Sequence, residues 1–512
     1  MKTKKKIAII GGGASGVGLA WCLTSQSKPL QKFDITLLHD EDELGGHSRT
    51  ITVWFDDNGK GHATPPPLGK QVYPVDIGVQ FVCPSLYPNL YQQLKLEGFK
   101  KDVKLKRHEA LKISGAFNDK ICWGNFDEYQ TGERFENCFD AITKKHAAQF
   151  ECDLHRAPLG RIKGKRLWNM KVGDYLAIAN IPKDSNFIRY LLIPYLCIIN
   201  GYGTEDLYET TFTDLFPIFT RLPFIQDAGP YGSFLKPGYG WDRFEDGSTE
   251  WVLAMARYAR EKGASLNTHS TVKKIISHDD GATVEWEHNH PLHGLQSKSE
   301  KFDLVVCTTD MTTNRYLLNH TENKFWNEQA KYIAQERFRL IPGVCYIHQD
   351  ETLLAPCLSD GKEDGQFTGA FAWGGNSPES QTYDLPYDLR ASFQTYFMDN
   401  ILGTPHRCYV SMYAEDDIAK RPNPETVIFK RTWRHGRWVA SFFRQGKEEL
   451  HKIQGLGNIY FGGNNTTIDS EEGALLSAMI LAERIGEYKY PFKKLSFPYM
   501  FYRNFRKMML AY

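Results

Sequence analysis

The start of the chain contains two short apolar runs separated by a glycine-rich and helical stretch. The run Ile7–Ile10 follows several lysines and is too short for the apolar segment of a signal peptide, so it predicts a β-strand. Apolar residues then predict an amphipathic helix: Val17, Ala20, Trp21 and Leu23. A second buried strand is predicted from Asp34 to Leu38. Strand, glycine turn, helix and strand in this order predict a Rossmann-like unit that binds a dinucleotide.

Further apolar patterns predict helices and strands in the rest of the chain. One predicted helix has these apolar positions: Trp251, Leu253, Met255 and Tyr258. Alternation at Val284 and Trp286 predicts a β-hairpin that turns at residues 279–281. A helix near the C-terminus has these packing positions: Ala474, Leu475, Ala478, Leu481 and Ala482. The strongly apolar run 186–203 predicts a buried helix that ends at glycines.

Length and charge limit the classes of protein to which the chain can belong. At 512 residues it exceeds what one simple core contains, so two or more domains are expected. Its 62 basic and 61 acidic residues give a net charge of +1, which leaves no overall field to attract nucleic acid. No window approaches the roughly 18 apolar residues that span a bilayer. We therefore expect a soluble cytoplasmic protein, or one that binds the inner membrane face peripherally.

The ten cysteines are scattered from Cys22 to Cys408, with no CxxC pair and no repeated spacing. Free thiols of a cytosolic protein explain this distribution better than disulfides or a zinc site. The sequence therefore predicts no metal site.

The residues after the first strand have the spacing of a dinucleotide-binding turn. Gly11 permits the tight turn, Gly13 lets a pyrophosphate approach the backbone, and Gly16 lets the helix pack closely on the strand. Ser15 lies in the first turn of the helix, whose N-terminus is expected to face the phosphates. Because the motif follows an apolar strand and precedes an amphipathic helix, it favours a dinucleotide site over an ordinary glycine turn.

The residue that ends the second strand is unusual for such a site. A carboxylate commonly holds the adenosine ribose there, but this chain has His39 followed by Asp40. A neutral imidazole carries one donor and one acceptor, so His39 can still hold a ribose hydroxyl. Two alternatives are that Asp40 holds the ribose and that His39 is merely surface-exposed.

A glycine pair follows the end of the second strand by six residues and does not belong to the nicotinamide-binding pattern. It resembles the E-x5-GG continuation of FAD-binding folds in the flavin amine oxidase superfamily, which includes phytoene desaturases and fatty-acid isomerases. The resemblance implies that this loop passes the FAD diphosphate. The residues matched by position are Gly45, Gly46, His47 and Arg49. Whether His47 or Arg49 meets the phosphate stays open.

Three further segments resemble the same superfamily, in the same order along the chain. In PVDIGVQ the resemblance implies that Gly78, Val79 and Gln80 lie beside the flavin ring. It also implies that the backbone of Val272 contacts the adenine. Near the C-terminus, four residues match the superfamily segment that lies around the ribityl chain and the N1–C2=O edge of the flavin. They are Gly463, Asn464, Gly473 and Ala474.

The resemblance implies an α/β architecture, with a Rossmann-like FAD-binding domain of the glutathione reductase and amine oxidase type and an inserted α+β substrate domain. The FAD-binding segments are 1–88, 238–312 and 425–490, and the substrate-domain segments are 89–237 and 313–424. The apolar run 186–203 then either forms core or lines a lipid tunnel. The amphipathic tail 491–512 either packs on its own domain or contacts a membrane surface.

The nearest resemblance is to a bacterial branch of FAD-binding oxidoreductases associated with unsaturated and methyl-branched fatty acids. It implies FAD and an apolar, fatty-acyl substrate that is desaturated or isomerised by hydride transfer to flavin N5. No cysteine lies beside residues 464–473, so the FAD is expected to be noncovalent rather than linked to a cysteine. Trp433 and His435 are the candidate catalytic residues: Trp433 is expected to wall the flavin ring and His435 to relay a proton. The alternative is that both belong only to an amphipathic strand edge. The alternative functions are amine oxidation with release of hydrogen peroxide, and an FAD-bound scaffold without turnover.

Overall fold

The computed structural model describes most of the chain. The described residues are 4–25, 32–108, 113–117, 120–124, 140–193, 204–219, 240–290, 292–333, 340–354, 369–373, 393–414, 421–436, 450–486, 488–494 and 496–510. They fold around two hydrophobic cores, one beneath a parallel sheet and one in a second, mixed region.

The strands of the described residues are, in chain order, β1 Lys5–Ile10, β2 Phe33–Leu38, β3 Thr50–Phe55, β4 Gly61–His62, β5 Tyr73–Asp76, β6 Leu105–Arg107, β7 Ile113–Phe117, β8 Lys120–Gly124, β9 Arg161–Ile162, β10 Lys165–Arg166, β11 Asp242–Phe244, β12 Ser265–Asn267, β13 Ser270–His278, β14 Gly281–His290, β15 Gly294–Phe302, β16 Leu304–Cys307, β17 Leu340–His348, β18 Gly369–Trp373, β19 Phe393–Phe397, β20 Tyr409–Ala414, β21 Val427–Gly436 and β22 Ile459–Phe461.

The helices of the described residues are, in chain order, α1 Ala14–Thr24, α2 Pro88–Gln93, α3 Glu97–Lys100, α4 Ala141–Arg156, α5 Val172–Ala179, α6 Thr204–Glu209, α7 Phe212–Phe219, α8 Ser248–Glu261, α9 Met311–Leu318, α10 Trp326–Ile333, α11 Met398–Leu402, α12 Glu471–Gly486 and α13 Phe497–Leu510. A π-helix covers Phe187–Leu192, and short 3-10 turns occur in the loops.

Strand β1 lies at the centre of a five-stranded parallel sheet with the order β12-β2-β1-β16-β22. Ile7 pairs with Ile35 on one side and with Leu304 on the other. Helix α1 follows β1 and packs against α8 and α12. This strand order and the covering helices are those of a Rossmann-like domain, so the sequence prediction is confirmed.

An antiparallel sheet, β13-β14-β15, lies beside the parallel one. His278 pairs with Gly281, so the hairpin turns at the two aspartates between them, as the alternating pattern predicted. Val284 and Trp286 are buried, which explains the alternation. The predicted helix before this hairpin is α8, and its apolar face joins the first core.

A second, seven-stranded sheet has the order β21-β17-β20-β19-β18-β7-β8. The sheet is mixed, because β18 pairs with β7 in parallel and with β19 antiparallel. Strand β21 lies within segment 425–490, which the sequence assigned to the FAD-binding domain. In the structure it pairs along its length with β17 and therefore belongs to this second sheet.

The apolar run 186–203 is described only as far as residue 193. In this part, Phe187, Ile188 and Leu191 are buried in the second core, and Phe187 packs against Phe150 with ring centroids 5.8 Å apart. The described half of the run is therefore core, and residues 194–203 lie outside the described part.

The C-terminal tail contains helix α13, which packs on the first domain. Tyr502, Phe505 and Met509 are buried in its core. Arg506 pairs with Glu483 of α12, with Nη2 2.7 Å from Oε1. The tail thus follows the expectation that it packs on its own domain. No helix among the described residues is long and apolar enough to cross a bilayer.

Candidate cofactor site

The glycine turn after β1 has the backbone geometry that its spacing predicted. Gly11 has a φ of +109°, and its N–H donates to the carbonyl of Leu38 over 2.9 Å. A β-carbon on Gly16 would lie 2.0 Å from the carbonyl oxygen of Gly11. Helix α1 therefore approaches the turn more closely than any side chain at Gly16 would permit.

The glycine turn and the glycine pair lie against each other. The N–H of Gly45 donates to the carbonyl of Gly12 over 3.0 Å, and Gly13 forms a parallel bridge with Gly45. Gly46 has a φ of +62°, and a β-carbon there would be 3.0 Å from the Cα of Gly13. The two loops form one surface of bare backbone at the carboxyl ends of β1 and β2, where phosphates bind in such folds.

His39 lies beneath this surface and is not surface-exposed, which excludes that alternative. Only 6% of the residue is exposed, and its ring packs so closely that a β-carbon on Gly12 would lie 2.6 Å from it. Nε2 is 2.9 Å from the carbonyl oxygen of Glu43, and Nδ1 is 3.3 Å from Oδ1 of Asp40. The contact with His39 lowers the pKa of the Asp40 carboxyl. Both ring nitrogens thus have protein partners, and a ribose hydroxyl would have to share one of them.

Arg49 and His47, the two candidates for the phosphate, have different surroundings. The Arg49 guanidinium is within 4 Å of three carboxylates from the loop after β2, with distances of 3.8 Å to Glu41, 3.4 Å to Asp42 and 3.3 Å to Glu43. Its Nε and Nη1 atoms are nevertheless buried without a hydrogen bond.

His47 instead contacts β21. Its Nε2 is 3.1 Å from the carbonyl oxygen of Arg434, and its ring centroid lies 5.4 Å from that of Trp433. Arg49 is therefore the residue with unused donors near the glycine loops, whereas His47 joins these loops to the second sheet.

The start of β13 lies beside the end of β2. The N–H of Ser270 donates to the carbonyl of His39 over 2.6 Å, and that of His269 donates to Glu41 over 2.9 Å. Val272 follows in the same strand, opposite Trp286. The structure thus places Val272 on the side of the site where the sequence expects the adenosine.

The C-terminal segment closes over helix α1. The N–H of Gly463 lies 3.1 Å from Oγ of Ser15 and 2.9 Å from Oγ of Ser477, so the Ser15 hydroxyl accepts a protein hydrogen bond. The side-chain amide of Asn464 donates to Asp469. A β-carbon on Gly473 would meet the carbonyl oxygen of Ile468 at 1.8 Å, so only glycine fits there.

Two buried glutamates begin helix α12, directly before Gly473 and Ala474. Burial raises the pKa of Glu471 and the pKa of Glu472 to about 7 each. The sequence analysis assigned no role to either residue, although the EEG triplet before an apolar helix was a visible signal. Acidic side chains in the first turn of a helix also interact favourably with the helix dipole.

The segment from β5 carries the residues expected beside the flavin ring. A β-carbon on Gly78 would lie 2.0 Å from the carbonyl oxygen of His47, so this segment and the glycine-pair loop touch through backbone. The side-chain amide of Gln80 donates to the carbonyl of Asp76. Val79 is partly buried against the first core.

Asp76 was also missed, and it fixes this segment to helix α8. Its Oδ1 accepts from Oγ1 of Thr50 at 2.6 Å and from the N–H and Oγ of Ser248, each at 2.8 Å. The carboxyl therefore caps the first residue of α8 by accepting a hydrogen bond from its backbone N–H. Burial raises its pKa to about 6.

Comparison with known proteins agrees with this geometry. Residues 9–95 match the family model of an NAD(P)-binding Rossmann-like domain. No curated protein matches the chain in sequence. Among solved structures, the chain is similar to a proposed protoporphyrinogen oxidase from Exiguobacterium, at 15% identity and a TM-score of 0.57, over 95% of this chain and 100% of that one.

Two other similar structures belong to proteins that are named for different activities. A CLA-producing fatty acid isomerase from P. acnes has 13% identity and a TM-score of 0.55, over 95% of this chain and 100% of that one. A cyclohexylamine oxidase from Brevibacterium oxydans has 13% identity and a TM-score of 0.54, over 94% of this chain and 100% of that one. The chain has the flavin amine oxidase fold. At these identities the likeness establishes the fold alone.

The residues present suit the dinucleotide that the flavin amine oxidase fold holds. The two glycine loops leave backbone bare where a diphosphate approaches, and Arg49 has two buried nitrogens without an acceptor. A buried guanidinium with unused donors is costly unless an anion or other acceptor completes it. The carboxylates of Glu41, Asp42 and Glu43 orient Arg49 while leaving Nε and Nη1 without hydrogen bonds.

The same fold brings an aromatic cluster next to the segment 78–80, and the sequence analysis missed it. The ring of Phe81 lies 5.1 Å from that of His108, 6.0 Å from Trp241 and 6.2 Å from Tyr396. We call these four residues the aromatic wall. They come from four distant parts of the chain, so no local pattern in the sequence could have grouped them.

The predicted catalytic residues lie on β21, which contacts the glycine-pair loop at His47. Trp433 is half-buried and contacts His47, and Arg431, two residues earlier, pairs with Glu41 over 2.5 Å. His435 pairs with Ile341 through its backbone, and its side chain lies outside the described part of the structure. Trp433 is thus brought to the cofactor loops, and the role of His435 stays a prediction.

Proposed function

We propose that the chain is an FAD-dependent oxidoreductase that binds FAD noncovalently. The observation that carries the proposal is the pairing of the two glycine loops, Gly13 against Gly45, beside the buried Arg49 with its unused donors. Such a surface supplies the close backbone approach that a diphosphate needs, and Nε and Nη1 of Arg49 supply hydrogen-bond donors for its oxygens. FAD, when bound, supplies the hydride acceptor.

The protein residues have the tasks of binding, orienting and excluding water. The cofactor-binding residues are those expected from the sequence, with Arg49 rather than His47 on the diphosphate and His39 or Asp40 on the ribose. Gly78, Val79 and Gln80 flank the ring, and Gly463, Asn464, Gly473 and Ala474 flank its other end. Trp433 walls the site from β21, and His435 relays a proton there.

The proposed substrate is an apolar, fatty-acyl chain that is desaturated or whose double bond is moved. The aromatic wall supports this, since Phe81 and Trp241 make the surroundings of the flavin-flanking segment apolar. The similarity to a fatty acid isomerase supports it further. Apolar pockets with few polar groups are suited to such chains.

Oxidation of an amine with release of hydrogen peroxide is the second candidate. Aromatic rings such as Tyr396 and Phe81 also suit a neutral amine, and the similar structures include amine oxidases. A scaffold that binds FAD without turnover is the third.

The experiment is anaerobic mixing of the purified holoprotein with unsaturated fatty acids or with primary amines, followed by the flavin absorbance. Bleaching by fatty acids supports the first candidate, bleaching by amines replaces it with the second, and bleaching by neither favours a scaffold. An isomerase that returns the hydride is detected by chromatography of the fatty acid. Protein without flavin absorbance would contradict all three.

We also propose, as a finer point, that any contact with the inner membrane face is peripheral and involves the exposed side of α13. Tyr502, Phe505 and Met509 pack inward, whereas Met500, Arg503 and Lys507 are exposed to solvent. Co-sedimentation with anionic vesicles tests this, and reversing the charge of Arg503 and Lys507 should abolish binding.

A further inference from the structure

The two glutamates at the start of α12 are equally buried but have different hydrogen-bond partners. Glu472 accepts from the N–H of Asn89 at 3.0 Å, from the side-chain amide of Asn89 at 2.7 Å and from the N–H of Leu90 at 2.9 Å. These donors belong to the first turn of α2. Glu472 is thus a capping group that joins two helices, and its two oxygens are occupied.

The Glu471 carboxyl has two donors beside it, the Ser48 hydroxyl and its own backbone N–H. Its Oε1 accepts from Oγ of Ser48 at 3.2 Å, while Oε2 is buried without a partner. The residue is 4% exposed, so solvent does not replace the missing partner. Buried carboxyl oxygens in folded proteins almost always have a partner, which indicates that a bound group supplies one here.

The position of Glu471 indicates which group that is. Ser48, its partner, follows the glycine-pair loop and its N–H donates to the carbonyl of Gly45 over 3.1 Å. Glu471 itself precedes Gly473 in the helix expected to face the flavin. The carboxyl therefore lies between the two segments that the proposed function assigns to opposite ends of one cofactor.

The charges around Glu471 favour a neutral carboxyl. Burial has the largest effect on its pKa and raises it, and the negative charges of Asp469 and Asp76 raise it further. Opposing these, the hydrogen bond from its own backbone N–H lowers the pKa, and the hydrogen bond from Ser48 lowers it further. A neutral carboxyl has one O–H to donate, and Oε2 is the oxygen without a partner.

We propose that Glu471 is a further cofactor-binding residue, whose Oε2 donates a hydrogen bond to an acceptor on the N1–C2=O edge of the flavin. This rests on the proposed function only in requiring a bound flavin. A neutral donor at that edge stabilises the negative charge that the ring gains on reduction, so it raises the reduction potential of the bound flavin. Glu471 acts there by binding and orientation, and it takes no covalent part.

The test compares Glu471→Ala, Glu471→Gln and the neighbouring control Glu472→Gln. Glutamine at 471 keeps a donor and an acceptor, whereas alanine keeps neither. We expect Glu471→Ala to weaken FAD binding about tenfold and to make the flavin midpoint potential more negative. Glu471→Gln is expected to keep both near the wild-type values, and Glu472→Gln to lower the melting temperature without changing the potential.

Each result either supports or overturns the assignment. If Glu471→Ala binds FAD with wild-type affinity and potential, Oε2 has no role toward the cofactor. The proposal is equally overturned if Glu471→Gln and Glu472→Gln shift the potential alike, because the effect is then one of general structure. If the wild-type protein itself binds no flavin, the proposed function fails, and that outcome is recognised before any variant is compared.

Discussion

The carbonyl oxygen of His47 would lie only 2.0 Å from a β-carbon added to Gly78. The glycine-pair loop and the segment after β5 therefore touch through bare backbone. Because both segments are expected beside the cofactor, this contact sets how closely the diphosphate end and the ring end of the site approach each other.

Gly78→Ala should disturb that contact and weaken cofactor binding. The added methyl group forces one of the two segments to move, at a cost of about 1–3 kcal/mol for overpacking. We expect a lower melting temperature and at least a tenfold larger Kd for FAD, measured by fluorescence titration. Gly98→Ala is the control, because a β-carbon there meets no atom within 4 Å. Equal behaviour of the two variants would contradict the prediction.

His39→Ala and Asp40→Ala should separate the two candidates for the ribose. Removing the buried His39 ring takes away its packing on Gly12 and its contact with Glu43, so a loss of about 1–3 kcal/mol in unfolding free energy is expected. Asp40→Ala should leave stability nearly unchanged, since its side chain is 67% exposed. The variant with the larger Kd for FAD, corrected for folded fraction, identifies the ribose ligand. Unchanged FAD binding in both would exclude both residues.

Asp76 should make the protein less stable as pH rises from about 4 to above 6. Burial raises the pKa of folded Asp76 from 3.8 to about 6, so the folded state keeps a proton that the unfolded state has lost. The stabilisation is complete below about pH 4 and is lost as pH rises through 6, with a magnitude of about 3 kcal/mol.

Asp76→Asn should flatten this dependence while keeping the oxygen that accepts from Thr50 and Ser248. Urea denaturation at a series of pH values measures it. Part of the slope should persist because burial also raises the pKa values of Glu471 and Glu472. An unchanged slope in the variant would show that Asp76 is ionised throughout the window.

Phe81→Ala should weaken the interaction with an apolar substrate. Loss of this ring from the aromatic wall removes about 2 kcal/mol of apolar contact, so a roughly thirtyfold larger KM is expected for a long-chain substrate. Tyr396→Phe is the matched control, because it keeps the ring and removes only the hydroxyl. A lower kcat with unchanged KM would place Phe81 outside the substrate pocket.

Deleting residues 497–512 should destabilise the whole domain rather than remove a detachable anchor. Tyr502, Phe505 and Met509 fill the first core, and Arg506 pairs with Glu483. We expect loss of soluble protein or a markedly lower melting temperature. If the truncated protein keeps its melting temperature but loses activity on vesicle-embedded substrate, the tail acts at the membrane after all.

The sequence predicted the local parts of the site well because their signals are local. Gly11 and Gly16 reveal the turn through steric demands within one strand and one helix, and the hairpin before Gly281 follows from alternation and two aspartates. The aromatic wall could not be predicted, since Phe81 and Tyr396 lie far apart in the sequence and meet only in the folded second core. Likewise, an amphipathic pattern in β21 gives no information about its partner strand, so its place beside β17 required the structure.

The hydrogen bond between Ser15 and Gly463 joins residues 448 positions apart in the chain. The outer strand β22 of the parallel sheet is likewise supplied by residues near the end of the sequence. During synthesis on a ribosome, the early strands must wait for almost the entire polypeptide before the sheet is complete. Contacts of such long range make folding slow. The edge of β16 therefore stays unpaired until β22 has been made, and the proposed cofactor site is complete only once α12 has followed it.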